Sequence, residues 1–190
     1  MNKIISFLLI FFTIFFSCID NNLPKQSAFL RIEFPEPNYI ATKEIKLPID
    51  FYYNLSAADV SVTNPKQLSL NYPNMKMSID LFLKKVIQTN DLENNFRDFS
   101  LILETHSKKS NGIFIREYED LNNRVYAKIF ELRGDVASPM QFYLTDSTSN
   151  FIYGSLNLKF KPKYDSIYPT IQYVKNDILV LIESLNWNVK

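Results

Sequence analysis

Residues 124–160 constrain the fold more than any other stretch, because they spell three β-strands in succession, at 124–132, 140–145 and 151–160. Gly134-Asp135 lies in the first connection and Asp146-Ser-Thr-Ser-Asn150 fills the second, and these are residues that turn a chain. In the third strand Ile152, Leu156, Leu158 and Phe160 share one face, with Gly154 in their register, while Ser155, Asn157 and Lys159 share the other. A period of two with one polar side predicts a half-buried strand. The first strand differs: Val125, Ala127 and Ile129 point one way, and Tyr126, Phe130 and Leu132 the other. Apolar residues on both sides predict a central strand covered on both faces. Such a meander needs material above and below it, which the remainder of the chain has to supply.

The chain begins with Lys3 and an apolar run over 4–16, relieved by Ser6 and Thr13, that ends at Ser17-Cys18. A basic start, a short greasy centre and small residues at the end predict a secretory signal, and the run falls short of the roughly 20 apolar residues that span a membrane. Cys18 is the only cysteine, so no internal disulfide can form. Its place after Ser17 resembles a bacterial lipoprotein signal, which implies cleavage before Cys18 and acylation of its thiol and new amino group. Several acyl chains make a stable anchor where one does not. Phe15-Phe16 departs from the small aliphatic residues usual there, and an uncleaved anchor or plain secretion with a free thiol remain the alternatives. The expected division is a signal at 1–17, a lipid-anchored tether at 18–28 and one globular domain at 29–190. The formal net charge is +1, and loss of Lys3 with the signal brings the mature chain to neutrality. A nucleic-acid partner is not expected of such a chain.

After the tether, residues 29–34 alternate as an edge strand stopped by Pro35-Glu36-Pro37. Residues 40–65 are the least legible, with one strand suggested at 49–53. Leu68, Leu70 and Tyr72, and after Pro73-Asn74 the series Met75, Met77, Ile79, Leu81 and Leu83, predict an antiparallel hairpin with one dry face. The period then changes. Thr89 or Asn90 can cap a helix in which Leu92, Phe96, Phe99, Leu103 and His106 form a stripe ending before Asn111-Gly112. A strand at 113–118 leads into the meander. Beyond it, Asp165, Ser166 and Pro169 start a second helix, with Ile171, Val174, Ile178, Leu181, Ile182 and Leu185 on one face and Trp187 just past its end. Burying that stripe is worth on the order of 10 kcal/mol before entropy. The expected fold is α+β, a largely antiparallel sheet of six or seven strands with two principal helices. One helix on each face would give three layers, an order similar to the PsbP-type fold at the level of architecture.

No reaction is spelled out. His106 is the only histidine, which excludes a multi-histidine metal site, and its register on the apolar stripe points to packing. Gly112, Gly134 and Gly154 are the only glycines, and neither G-x-S-x-G nor a phosphate-cradling loop is present. Asp135, Asp146 and Asp165 lie at strand ends, where carboxylates are turn residues far more often than acids and bases. No catalytic residue, metal or cofactor is therefore expected. The loop at 133–138 joins two strands of the best-defined sheet, a rigid support of the kind that carries contacts, and Arg133 and Asp135 are its candidate partner-binding residues. An aromatic cleft for a peptide or glycan is the alternative, and a hydrolase a third reading.

Three segments in order, Arg31-Ile-Glu-Phe-Pro-Glu-Pro-Asn-Tyr39, Gly134-Asp-Val-Ala-Ser-Pro-Met-Gln-Phe-Tyr-Leu-Thr-Asp-Ser147 and Asp165-Ser-Ile-Tyr-Pro169 followed by 177–187, resemble the gliding motility lipoprotein GldD family of the Bacteroidetes. The resemblance implies a periplasm-facing lipoprotein needed for gliding and for the type IX secretion system, working with other lipoproteins of that machinery. It supplies no catalytic residues. Members commonly carry a cysteine before the proline corresponding to Pro48 and another at the start of the strand around Leu68. Here Leu47 and the absence of cysteine mean that the expected disulfide is missing, and Pro139 replaces a usual small polar residue.

Overall fold

The computed structural model describes residues 32–45, 47–88 and 90–187. Its strands are β1 (Tyr39–Ala41), β2 (Ile49–Asp50), β3 (Tyr52–Asn54), β4 (Asp59–Asn64), β5 (Gln67–Tyr72), β6 (Met77–Lys85), β7 (Gly112–Asp120), β8 (Val125–Arg133), β9 (Met140–Thr145), β10 (Asn150–Leu158) and β11 (Asn186–Trp187); its helices are α1 (Asp91–Ser107) and α2 (Tyr164–Glu183). Seven strands form one antiparallel sheet in the order β4-β5-β6-β10-β9-β8-β7. After β6 the chain crosses through α1 to the far edge, and the meander β7-β8-β9-β10 brings it back to pair with β6. Two small ladders, β1 with β3 and β2 with β11, complete the described strands.

Each face of the large sheet carries a helix, so the α+β reading and its three layers hold. On one face Ile171, Val174, Ile178, Leu181 and Ile182 of α2 are buried in a core with Leu68, Leu70, Ile79, Leu81, Ile129, Phe142, Leu144, Ile152 and Leu156. Leu47 and Leu68 sit in this same core. On the other face Phe99 of α1 meets Phe130 at 5.4 Å and Tyr143 at 5.3 Å, while Phe96 meets Phe151 edge-on at 5.2 Å. These are the separations of edge-to-face and tilted aromatic pairs.

Several expectations need correction. β8 is covered on both faces as its pattern says, but it lies next to the β7 edge, and the middle strand is β10. Cover follows from where the helices overhang, not from rank in the sheet: the second face of β10 begins with Phe151 and Tyr153 under α1, so it is not half-buried there. Of the strand expected at 29–34, residues 29–31 lie outside the described residues, and 32–34 join no ladder. Instead Phe34 stacks on Tyr173 at 4.7 Å and the Pro35 carbonyl accepts from the Tyr173 hydroxyl at 2.9 Å. Thr89 also lies outside the described residues, and Asn90 makes no side-chain cap. The turn before α1 is closed by Asp91, whose carboxylate accepts from the Ile87 and Gln88 N–H groups at 2.9 and 2.8 Å. The illegible stretch supplies β1 to β4, including the seventh strand of the sheet.

A carboxylate sits within the apolar stripe of α2. Asp177 is 3 % exposed and accepts from the hydroxyls of Tyr39 at 2.7 Å and Tyr72 at 2.9 Å and from the Asn54 amide at 3.3 Å. These bonds join β1, β3 and β5 to α2. Burial pushes its pKa up, and the three donors act against that rise. Asp146 shows the opposite balance. Burial alone would raise it, yet N–H groups of Thr148, Ser149 and Asn150 at 2.7–2.9 Å and the Asn150 amide at 2.6 Å hold it below the usual carboxylate range.

The two carboxylates predict opposite pH effects. A raised folded pKa means that the native state holds the extra proton, so the contribution of Asp177 is largest below the ordinary carboxylate pKa and declines as pH rises through the raised value. The depressed pKa of Asp146 gives a contribution present above the ordinary value and lost as pH falls through the folded one. As pH rises above the ordinary carboxylate pKa, denaturant midpoints should fall less steeply for Asp177→Asn than for the parent, and as pH drops below it they should fall less steeply for Asp146→Asn than for the parent. Gly154 gives a packing prediction: an added Cβ would lie 2.2 Å from the Phe142 ring in the paired strand. Gly154→Ala should cost about 3 kcal/mol through overpacking, while Gly112→Ala, with nothing within 4 Å, should stay within about 0.5 kcal/mol.

Candidate functional site

The β8–β9 connection is fixed from several sides. Gly134 has φ 108°, a left-handed conformation that glycine adopts without strain. The Arg133 carbonyl accepts from Asn111 N–H at 2.7 Å, the Gly134 carbonyl from Val136 N–H at 2.8 Å, and the Ala137 carbonyl from Leu158 N–H at 2.9 Å. The Ser138 hydroxyl donates to the Leu156 carbonyl at 2.8 Å and accepts from the Gln141 amide. These bonds tie the loop to Asn111, β9 and β10.

Its two candidate residues part company. Asp135 accepts the Tyr164 N–H at 2.8 Å, so its carboxylate satisfies an orphan donor in the first turn of α2, where negative charge is favoured. Arg133 turns the other way: its guanidinium carbon lies 3.8 Å from the centre of the Phe114 ring, a cation–π arrangement on the exposed edge of β7. There it lines a cleft of about 250 Å³ between the β7–β8 edge and α2, with Phe114, Arg116, Ile129, Glu131, Tyr168, Lys175 and Leu179 among its walls.

Within the cleft Glu131 and Lys175 are paired at 2.5 Å, both largely buried. Among the described residues no ion pair or hydrogen bond engages the guanidinium groups of Arg116 and Arg133, so the cleft carries two uncompensated cations. The Tyr164 hydroxyl is buried without a hydrogen-bond partner among the described residues. Burial, and then the charge of Glu131, pushes its pKa up. Among the described residues Glu131 is the one carboxylate lining the cleft, and a charge-neutralised single carboxylate is not an acid–base pair.

Arg116, Glu131 and Lys175 were not singled out from the sequence, although one signal exists. Glu131 continues the register of Val125, Ala127 and Ile129, and a charge on an apolar strand face calls for a partner. Asp177 carries the same kind of signal in α2. His106 is half-buried in the last turn of α1, and burial holds its pKa below the ordinary value. Asp165 lies in the first turn of α2, and among the described residues no group of three or more His, Cys, Asp or Glu could hold a metal. A second, mostly apolar pocket of about 240 Å³ opens beside Trp187, Ile49, Leu83 and Ile152. Lys85 on its rim donates to Asn150 at 2.7 Å.

The different tasks of Asp135 and Arg133 separate by stability. Asp135→Ala should lower the unfolding free energy by about 1 kcal/mol, the cost of a lost helix cap, whereas Arg133→Ala should cost about 0.5 kcal/mol, an exposed cation–π contact. Urea titration of the two single variants measures both, and a larger loss from Arg133→Ala would contradict the assignment.

A family model described as gliding motility lipoprotein GldD matches residues 19–187, nearly the whole of the 190-residue chain. No curated protein and no solved structure matches the chain. No helix among the described residues is long and apolar enough to cross a membrane. The chain belongs to the gliding motility lipoprotein GldD family.

Proposed function

We propose that the protein is a non-enzymatic, periplasm-facing component of the gliding machinery and its associated type IX secretion system. Its role is to assemble or stabilise an envelope complex by docking other lipoproteins of that machinery. The signal at 1–17 is removed, Cys18 carries the acyl anchor, and residues 18–28 tether the domain 29–190. Cys18 and the tether lie outside the described residues, and this part of the reading rests on the signal pattern and on membership of a lipoprotein family.

The observation that carries the docking role is on β7. Ile113, Phe114 and Ile115 are 42, 50 and 58 % exposed in succession, on a strand that borders the two free cations of the cleft. The two isoleucines stand on one face of the strand and Phe114 on the other beside Arg116 and Arg133, so an edge that faces no strand among the described residues exposes apolar side chains on both sides, which marks an interaction surface. The apolar pocket beside Trp187 supports the second reading, a lipoprotein that binds a peptide or glycan.

Chromosomal replacement by Arg116→Ala/Arg133→Ala tests the docking role. Gliding and co-purification of the motility lipoproteins should both fall, with protein level unchanged and the thermal midpoint within about 2 °C of the parent. Normal gliding with full recovery of partners would remove the cleft from the interface. Cys18→Ala should leave the membrane fraction, and its retention there would contradict the anchor.

A further inference from the structure

The two edges of the large sheet are protected unequally. β4 runs over six residues, is mostly polar and has a register irregularity between Val62 and Asn64. Short, bulged, polar edges resist the addition of another strand. β7 runs over nine residues that pair with β8 from end to end without a register break. It contains no lysine or proline, its charges Arg116, Glu117, Glu119 and Asp120 all lie in its second half, and its outer side faces no strand among the described residues. Its outer backbone groups therefore form a long, regular template.

The side chains specify what would add to it. Directly opposed residues of an antiparallel pair point to the same face, so the pairing with β8 sorts β7 into two rows. Ile113 and Ile115 oppose Leu132 and Phe130 and belong to the α1 face, whereas Phe114 and Arg116 oppose Glu131 and Ile129 and belong to the α2 face. On the α1 face Glu117 is already bridged to Lys128 at 2.7 Å, which leaves the two isoleucines as the exposed apolar contact. On the α2 face Arg116 and Arg133 stand uncompensated, because Glu131 is taken by Lys175. A strand laid beside β7 would present one row of side chains to the isoleucines and the alternate row to the arginines.

We infer that β7 takes an extended segment of a partner protein by strand addition, and that the segment alternates carboxylate and apolar side chains. The carboxylates meet Arg116 and Arg133 on the α2 face, and the apolar side chains cover Ile113 and Ile115. Backbone ladder bonds hold the segment and the two rows fix its register, as in other recognition by strand addition. The inference rests on the docking role proposed above and names the partner chemistry for that surface.

The test uses the acyl-free domain beginning after the tether and a capped peptide of about nine residues alternating glutamate and valine, matched in length to β7. Binding should slow amide hydrogen exchange along 112–120 by about 10-fold or more, and a block peptide of the same composition should not. Arg116→Glu/Arg133→Glu should weaken the glutamate peptide by at least about 10-fold and bind the lysine–valine counterpart instead. Unchanged exchange in β7 at saturating peptide, equal binding of both peptides, or concentration-dependent self-association through β7 would overturn the inference. Loss of partners from the Arg116→Ala/Arg133→Ala strain together with an unprotected β7 would reject strand addition and leave the docking role standing.

Discussion

The contact of α2 with one face of the sheet is the interaction on which the rest depends. Its buried stripe fills the core between helix and strands, and every feature of the cleft follows from where that packing places the helix. Lys175 reaches Glu131 of β8, the first turn of α2 receives the carboxylate of Asp135, and Leu179 forms part of the cleft wall. Non-directional burial sets the position, and a few charge-assisted bonds set the register. Asp177 extends the same logic to the N-terminal segment, because its buried carboxylate joins Tyr39, Asn54 and Tyr72 to the helix. A single buried carboxyl group with three hydrogen-bond partners is tolerated where an unpartnered one would not be.

The strands and helices with strong periods were legible in the sequence. The hairpin of β5 and β6, the meander β7 to β10 and both apolar helix stripes could be read because each pattern is local and each turn has its own chemistry. Asp146 illustrates this: its carboxylate closes the turn before Asn150 through three backbone N–H groups. What failed was non-local. β10 holds the middle of the sheet because β6 returns to it across a long crossover, and no periodicity encodes that partner. Phe34 and Pro35 are held by Tyr173, far along the chain, so the described end of that stretch, 32–34, lies in no ladder. β4 carries polar side chains along an exposed edge and therefore lacks the apolar alternation that would reveal it.

The candidate site divides in the same way. Arg133 and Asp135 were placed together by sequence because both stand in one loop, yet the physical reasons for the two residues differ. One caps a helix that begins some thirty residues later, and the other leans over a ring on the neighbouring strand. Arg116 and Lys175 join Arg133 only through the sheet register and the lie of α2, neither of which is a sequence pattern. Family membership gives the setting in gliding motility; the surface chemistry of β7 gives the place on the molecule where that setting would act.

On the proposed docking role, the β7 side of the domain faces a protein partner in the envelope and the β4 side does not. A photo-crosslinking residue placed at Ile115 in intact gliding cells, with Val62 of β4 as the paired control, measures this directly. A discrete crosslinked species containing a component of the motility machinery is expected from position 115, and none from position 62. Equal crosslinking from both edges, or none from position 115 in cells that glide normally, would contradict it.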